Sequence, residues 1–100
     1  MSKYCLSLVC PPTAAEALLD LLVESEDSDV FTSSHVHSHS ASHAGLSTRE
    51  QVMGRSQAVL VQVLMGEDAL SALIERIRKN FAGVGIRYWA SPVAIDGEIK

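Results

Sequence analysis

Basic clusters are missing from this sequence. Its eight lysines and arginines are scattered among twelve acidic residues, giving a formal charge of −4. That balance argues against nucleic acid and anionic membranes as primary partners. No apolar run approaches the roughly 20 residues needed to cross a bilayer, so no direct membrane insertion is expected. The opening "MSKYCLSLVCPP" has one lysine and a short apolar stretch closed by two prolines. It lacks the longer apolar core and cleavage site of a signal peptide, which predicts a cytoplasmic protein. Cysteine is also scarce, with only Cys5 and Cys10. Five positions apart on a strand, the two point to opposite faces and cannot bridge. They read as free thiols in a reducing compartment. No pairing of a nucleophile with a base is suggested by spacing, so the chain is expected not to be an enzyme.

What is present is apolar residue in quantity, 47% of 100 positions, enough for one small globular domain over residues 1–100. "KYCLSLVC" reads as a strand over 3–10. "TAAEALLDLLVES" follows, with Thr13 and Glu16 at capping-box spacing. Ala14, Ala17, Leu18, Leu21 and Leu22 make one apolar stripe, which predicts a helix over about 14–25. "DVFTSSHVH" is a serine-rich second strand, and "QAVLVQVLM" is the strongest strand signal in the chain. "GEDALSALIERIRKNFAG" is a second helix, with Glu67 and Asp68 in its first turn and Arg78 and Lys79 in its last. Its stripe is Leu70, Leu73, Ile74, Ile77 and Phe81, and Gly83 is its expected stop. "IRYWASPV" is a fourth strand. The order βαββαβ predicts an α+β, ferredoxin-like sandwich with the first and third strands in the middle.

Two features exceed that minimal fold. A sheet with helices on one face should alternate apolar and polar residues. Yet Leu60 and Leu64 oppose Val59, Val61, Val63 and Met65, while Cys5 and Val9 oppose Tyr4, Leu6 and Leu8. Both faces ask for burial, which predicts self-association through the uncovered one. The connection between the second and third strands is also long, about residues 36–56, where hairpin loops usually take two to five. All four histidines, His35, His37, His39 and His43, lie in it or at its root. Within it, "LSTREQVMGR" holds a second capping-box pair, Ser47 and Glu50, which predicts a short helical turn.

The βαββαβ plan with a long second loop resembles the PII-like signalling superfamily, which includes the nitrogen-regulatory PII and CutA proteins. More narrowly, "LVCPP" at 8–12, "EQVMGR" at 50–55 and "FAGVGIRYWASPV" at 81–93 resemble a small bacterial PII-like family often associated with heavy-metal efflux systems. The resemblance covers essentially the whole chain. It implies a homotrimer with sheets facing one another, and a T-loop-like 36–56 segment that senses a ligand and engages a partner, an efflux component among the candidates. It departs from PII at the connection after the second helix. PII proteins hold ATP there with a glycine-rich basic loop, whereas "AGVG" carries no lysine and Arg87 is the nearest cation. That departure argues against ATP.

A strand continuing to Ser40 would put His35, His37 and His39 on one face, successive side chains roughly 7 Å apart. His43 could fold back to join them, or neighbouring copies could contribute. Imidazole suits zinc, copper and nickel. Glu50 and Arg55 could pair with each other, or contact a ligand or partner. The functional expectation is a non-enzymatic regulator that binds a transition metal through these histidines. The alternative is a sensor of a small anion or nucleotide at clefts between protomers, with the histidine segment left for partner binding. A metallochaperone would need C-x-x-C after the first strand, where "VCPPTAAE" has one cysteine. An RNA-binding sheet would need aromatics on its middle strands, and "AVLVQVLM" has none.

Overall fold

The structure, a computed structural model, describes residues 2–25, 28–39 and 56–100. Six elements follow one another: β1 (Lys3–Cys10), α1 (Pro12–Glu24), β2 (Ser28–Ser38), β3 (Ser56–Gly66), α2 (Glu67–Asn80) and β4 (Arg87–Val93). The four strands form one sheet in the order β2-β3-β1-β4, every neighbouring pair antiparallel. This is the expected α+β ferredoxin-like arrangement, with the two most apolar strands central.

Alternation assigns the faces. Leu6, Leu8 and Cys10 pair with Val63, Val61 and Val59 and are buried beneath the helices. Leu18 and Leu22 of α1 and Leu73 and Ile77 of α2 close that core. The covering stripe of α2 is the one its spacing predicts. That of α1 is shifted: Ala15 is buried and Ala17 exposed. Its beginning differs as well. Pro11 is the N-cap, Pro12 opens the helix, and no side chain caps it, so Thr13 does not serve as a capping residue. Proline at the first helical position has no N–H to leave unsatisfied and brings a helical φ with it, which makes the capping box unnecessary. In α2 the acidic first turn and basic last turn stand as expected.

The opposite face carries no helix. Its residues are not uniformly apolar. Across the four strands run a row of Val30, Leu64 and Cys5 ending at Ser91, a polar row of Thr32, Gln62 and Ser7 ending at Trp89, and a row in which Leu60 and Val9 lie between Ser34 and Arg87. Ser7, only 3% exposed, accepts a 3.4 Å hydrogen bond from Gln62 Nε2. A buried hydroxyl with a partner costs little, whereas an orphan would cost about 1–3 kcal/mol. Leu60, Leu64 and Val9 remain half-buried, and Trp89 is 49% exposed. At the edge of this face Lys3 lies opposite Gly66, which has no side chain, and its ammonium reaches past to Asp29 at the bulge of β2.

Helix α2 ends at Asn80 with Phe81 as C-cap, and the chain turns through Gly83 and Gly85 at φ of +81° and +90°. An added methyl group would meet nothing within 4 Å at either position. Only backbone strain therefore opposes substitution. Gly85→Ala is expected to cost about 1–3 kcal/mol, read as a fall in the urea midpoint with an unchanged slope.

Candidate functional site: the β2–β3 ribbon and the end of α2

β1 stops at Cys10, which pairs with Val59. β2 and β3 continue past that level through the pairs Val36–Ala58, His37–Gln57 and Ser38–Ser56. A two-stranded ribbon thus projects beyond the body of the sheet. His35 stands opposite Val59 and His37 opposite Gln57, so both lie on the helix side of the ribbon. Both are exposed, as is His39 immediately after the strand. Two imidazoles sit on one side of a paired strand, roughly 7 Å apart at their bases. Among the described residues no three His, Cys, Asp or Glu side chains come together as a metal set. His43, Glu50, Arg55 and the turn expected near Ser47 lie outside the described residues.

A second feature was not foreseen in the sequence. Between α2, the turn after it and the start of β4 lies a cavity of about 390 Å3, walled by Leu8, Ile74, Ile77, Phe81, Ile86 and Tyr88. At its mouth Arg78 Nη2 donates to Tyr88 Oη at 3.2 Å, and Arg78 Nε donates to Glu75 at 3.1 Å. These two partners hold the guanidinium's pKa above its ordinary value, the Tyr88 bond first. Sequence spacing marks Arg78 only as a complement to the helix dipole. Its place beside Tyr88 depends on how α2 lies across the sheet. Alternation does separate Tyr88 from Trp89: Tyr88 shares the helix side with Leu8, and Trp89 lies on the open side opposite Ser7.

Cys10 is buried at the end of β1, and burial pushes its thiol pKa up. The protonated thiol is a poor nucleophile. Cys10 is expected to react with a thiol reagent only after the protein unfolds, which a thiol count with and without denaturant will show.

The sheet order, the two helices on one face and the long β2–β3 ribbon define a PII-like ferredoxin-like domain. The structure matches CPII, a nitrogen regulatory PII-like protein from Thiomonas intermedia K12 bound to ADP, AMP and bicarbonate, with a TM-score of 0.75 at 15% identity, covering 99% of this chain and 98% of that one. It matches CutA1 from Pyrococcus horikoshii with a TM-score of 0.74 at 14% identity, over 95% and 87% of the two chains. The chain itself belongs to the DUF3240 family, a protein family of unknown function whose model matches residues 1–100. A DUF3240 protein from Shewanella baltica OS155 superposes with a TM-score of 0.83 at 16% identity, over 100% and 99% of the chains. No curated protein matches. At identities this low the superpositions establish the shared fold alone.

Proposed function

We propose that this chain is a non-enzymatic, PII-like regulatory protein that assembles as a homotrimer and binds a divalent transition-metal ion through its β2–β3 ribbon. The observation that carries the metal reading is the exposed pair His35 and His37 on one side of the ribbon. Neutral imidazole is a good donor to zinc, copper and nickel. Donors of one tetrahedral zinc site, with bonds of about 2.0–2.1 Å, lie closer together than these two side-chain bases. The two rings must therefore lean toward each other. They supply two of four positions, leaving the others for water, His39, His43 or a neighbouring copy. An incomplete set of this kind suits an exchangeable ion that is sensed, not a structural one. Its natural output is a change in the 36–56 segment, including Glu50 and Arg55, toward a component of a heavy-metal efflux system in the cytoplasm.

A second reading is favoured by one comparison. CPII is described as bound to ADP, AMP and bicarbonate, and a small anion or nucleotide at clefts between protomers would fit the same fold. Against ATP stands the turn at 81–86, which has no lysine. Arg87, the next cation, belongs to the open side of the sheet, opposite Val9.

Calorimetric titration separates the two. Zinc, copper and nickel should bind the wild type in the micromolar range and lose that affinity when all four histidines become alanine. Millimolar wild-type binding, or no loss in the variant, removes the metal reading. Micromolar binding of an adenine nucleotide with no metal binding would establish the alternative.

A further inference from the structure

The spacing of the two strand histidines also bears on which ion they hold. His35 and His37 are alternate residues of β2, fixed by the pairs His35–Val59 and His37–Gln57. Their side-chain bases stand roughly 7 Å apart, and the ladder to β3 keeps the strand from curling to shorten that span. Two nitrogens of a tetrahedral site, with bonds of about 2.0–2.1 Å, are about 3.4 Å from each other, whereas two nitrogens on opposite sides of an ion are about 4 Å apart. The opposed arrangement asks less lean of both rings. Little else stands ready to complete a site. Neither Val59 nor Gln57 brings an imidazole, a thiolate or a carboxylate. Cys10, the next residue along the row of His35 and Val59, lies two strand spacings away, roughly 10 Å, and is buried. Among the described residues no His, Cys, Asp or Glu side chain joins the pair to make a set of three. His39 falls beyond the last ladder pair, Ser38–Ser56.

We infer that the ribbon is a copper(II) site, in which His35 and His37 take opposite positions of a tetragonal coordination plane and solvent fills the others. The inference rests on the ribbon being the metal site proposed above, and it names the ion. Tetragonal nitrogen and oxygen sites suit copper(II) and nickel(II), whereas tetrahedral ones suit zinc. In the intrinsic order of affinities copper(II) stands above both nickel and zinc. A protein overrides that order by building a geometry or a ligand set that suits a weaker binder. The ribbon builds neither, since it offers two neutral imidazoles on one side of a strand and no charged donor among the described residues. The intrinsic order therefore stands, and the spacing reinforces it against zinc. Copper(I) is drawn to thiolate and thioether sulfur, and the pair has neither beside it among the described residues. Both rings are exposed, so the remaining positions are open to water and the ion can exchange.

The test uses the full chain with His39→Ala and His43→Ala, which leave the strand pair alone, and with Cys5→Ser, which removes the half-buried thiol. Calorimetry is run at about pH 7.5, above the ordinary imidazole pKa of about 6.5. Copper(II) should bind at least about tenfold more tightly than zinc or nickel. Electron paramagnetic resonance should give an axial copper signal coupled to both imidazole nitrogens. The sharpest variant exchanges two neighbours, Val36→His with His37→Val. The number of histidines is unchanged, but the second ring moves to the open side of the sheet, away from His35. Copper affinity should fall by about tenfold or more, to that of His37→Ala, and the second nitrogen coupling should vanish. Copper binding untouched by the exchange or by His37→Ala would reduce the pair to a histidine-rich segment without geometry and overturn the inference. Zinc or nickel binding as tight as copper, or a copper signal of tetrahedral character, would overturn it too. Circular dichroism on each variant reports any disturbance of the strand, and His37→Ala, which leaves Val36 in place, carries the test if the exchange disturbs it. Zinc or nickel held in preference to copper would leave the metal reading standing without this inference; no micromolar binding of any of the three ions removes both.

Discussion

Replacing His35 and His37 together by alanine is expected to weaken zinc binding by about a hundredfold or more. Even groups that merely orient a metal's ligands are worth about 10–100-fold in affinity, and here two donors are deleted outright. The pair sits on a strand whose hydrogen-bonded register with β3 fixes both side chains to one side. Little ordering remains to oppose binding, which is where preorganised donors gain over flexible ones. His39, just past the strand, is exposed but carried by no ladder pairing, so His39→Ala should cost less than either strand histidine. The sign of the pH dependence follows from competition between metal and proton for the same ring nitrogens. Affinity should fall as the solution is acidified, in the wild type and much less in the doubly substituted chain. Calorimetry at two pH values measures both effects. Equal affinities in wild type and double variant would dissociate the ribbon from metal binding.

The open face yields the other large effect. Leu60→Asp should convert the proposed trimer to monomers that keep their secondary structure. Leu60 lies in the centre of the uncovered side, between Val9 of β1 and Ser34 of β2. In an isolated copy it is only half-buried, so a carboxylate there keeps access to water. Pressed between copies, the same carboxylate would lose much of its hydration, with Arg87 two strands away in the same row, at a cost of several kcal/mol for each copy. Gln62→Leu in the adjacent row provides a contrast. It strips Ser7 of its hydrogen-bond partner but adds apolar surface, and is expected to lower stability modestly without dissociating the assembly. Sedimentation velocity with circular dichroism separates dissociation from unfolding. A Leu60→Asp protein that sediments as the wild type does would mean that this face is not the contact.

The strands and helices were readable because each carries a periodic signal of its own. Val59, Val61, Val63 and Met65 alternate on β3, and Leu73 and Ile77 repeat on α2, so type, order and the central position of β1 and β3 follow from the residues. The beginning of α1 was harder. Thr13 and Glu16 have capping spacing, but Pro11 and Pro12 already set the backbone torsions that begin a helix. Local chemistry offered two solutions, and the proline pair won by starting two residues earlier. The polar row through Ser7 and Gln62 was hidden for another reason. Each residue alone looks like a polar interruption of an apolar strand, and only the register shows them as partners. Arg78 and Tyr88 are ten residues apart and meet because α2 and β4 fold against each other around Gly83 and Gly85. Such a pairing is a property of the packed chain. The histidine pair was legible, since alternation alone puts His35 and His37 on one side. The extent of the strand bearing them was nearly so: β2 ends at Ser38, one residue past the expected His37 and short of the Ser40 that would have carried His39 on the same strand.

Sedimentation equilibrium of the unmodified protein at micromolar concentration tests the assembly most directly. Half-buried Leu60, Leu64 and Val9 on a sheet face with no helix over it predict self-association, and the proposed homotrimer predicts a single species of about three times the 10.8 kDa chain mass. A stable species at the mass of one chain would contradict the account. It would mean that this face is simply hydrated, and that the ribbons are not held together as arms of one assembly.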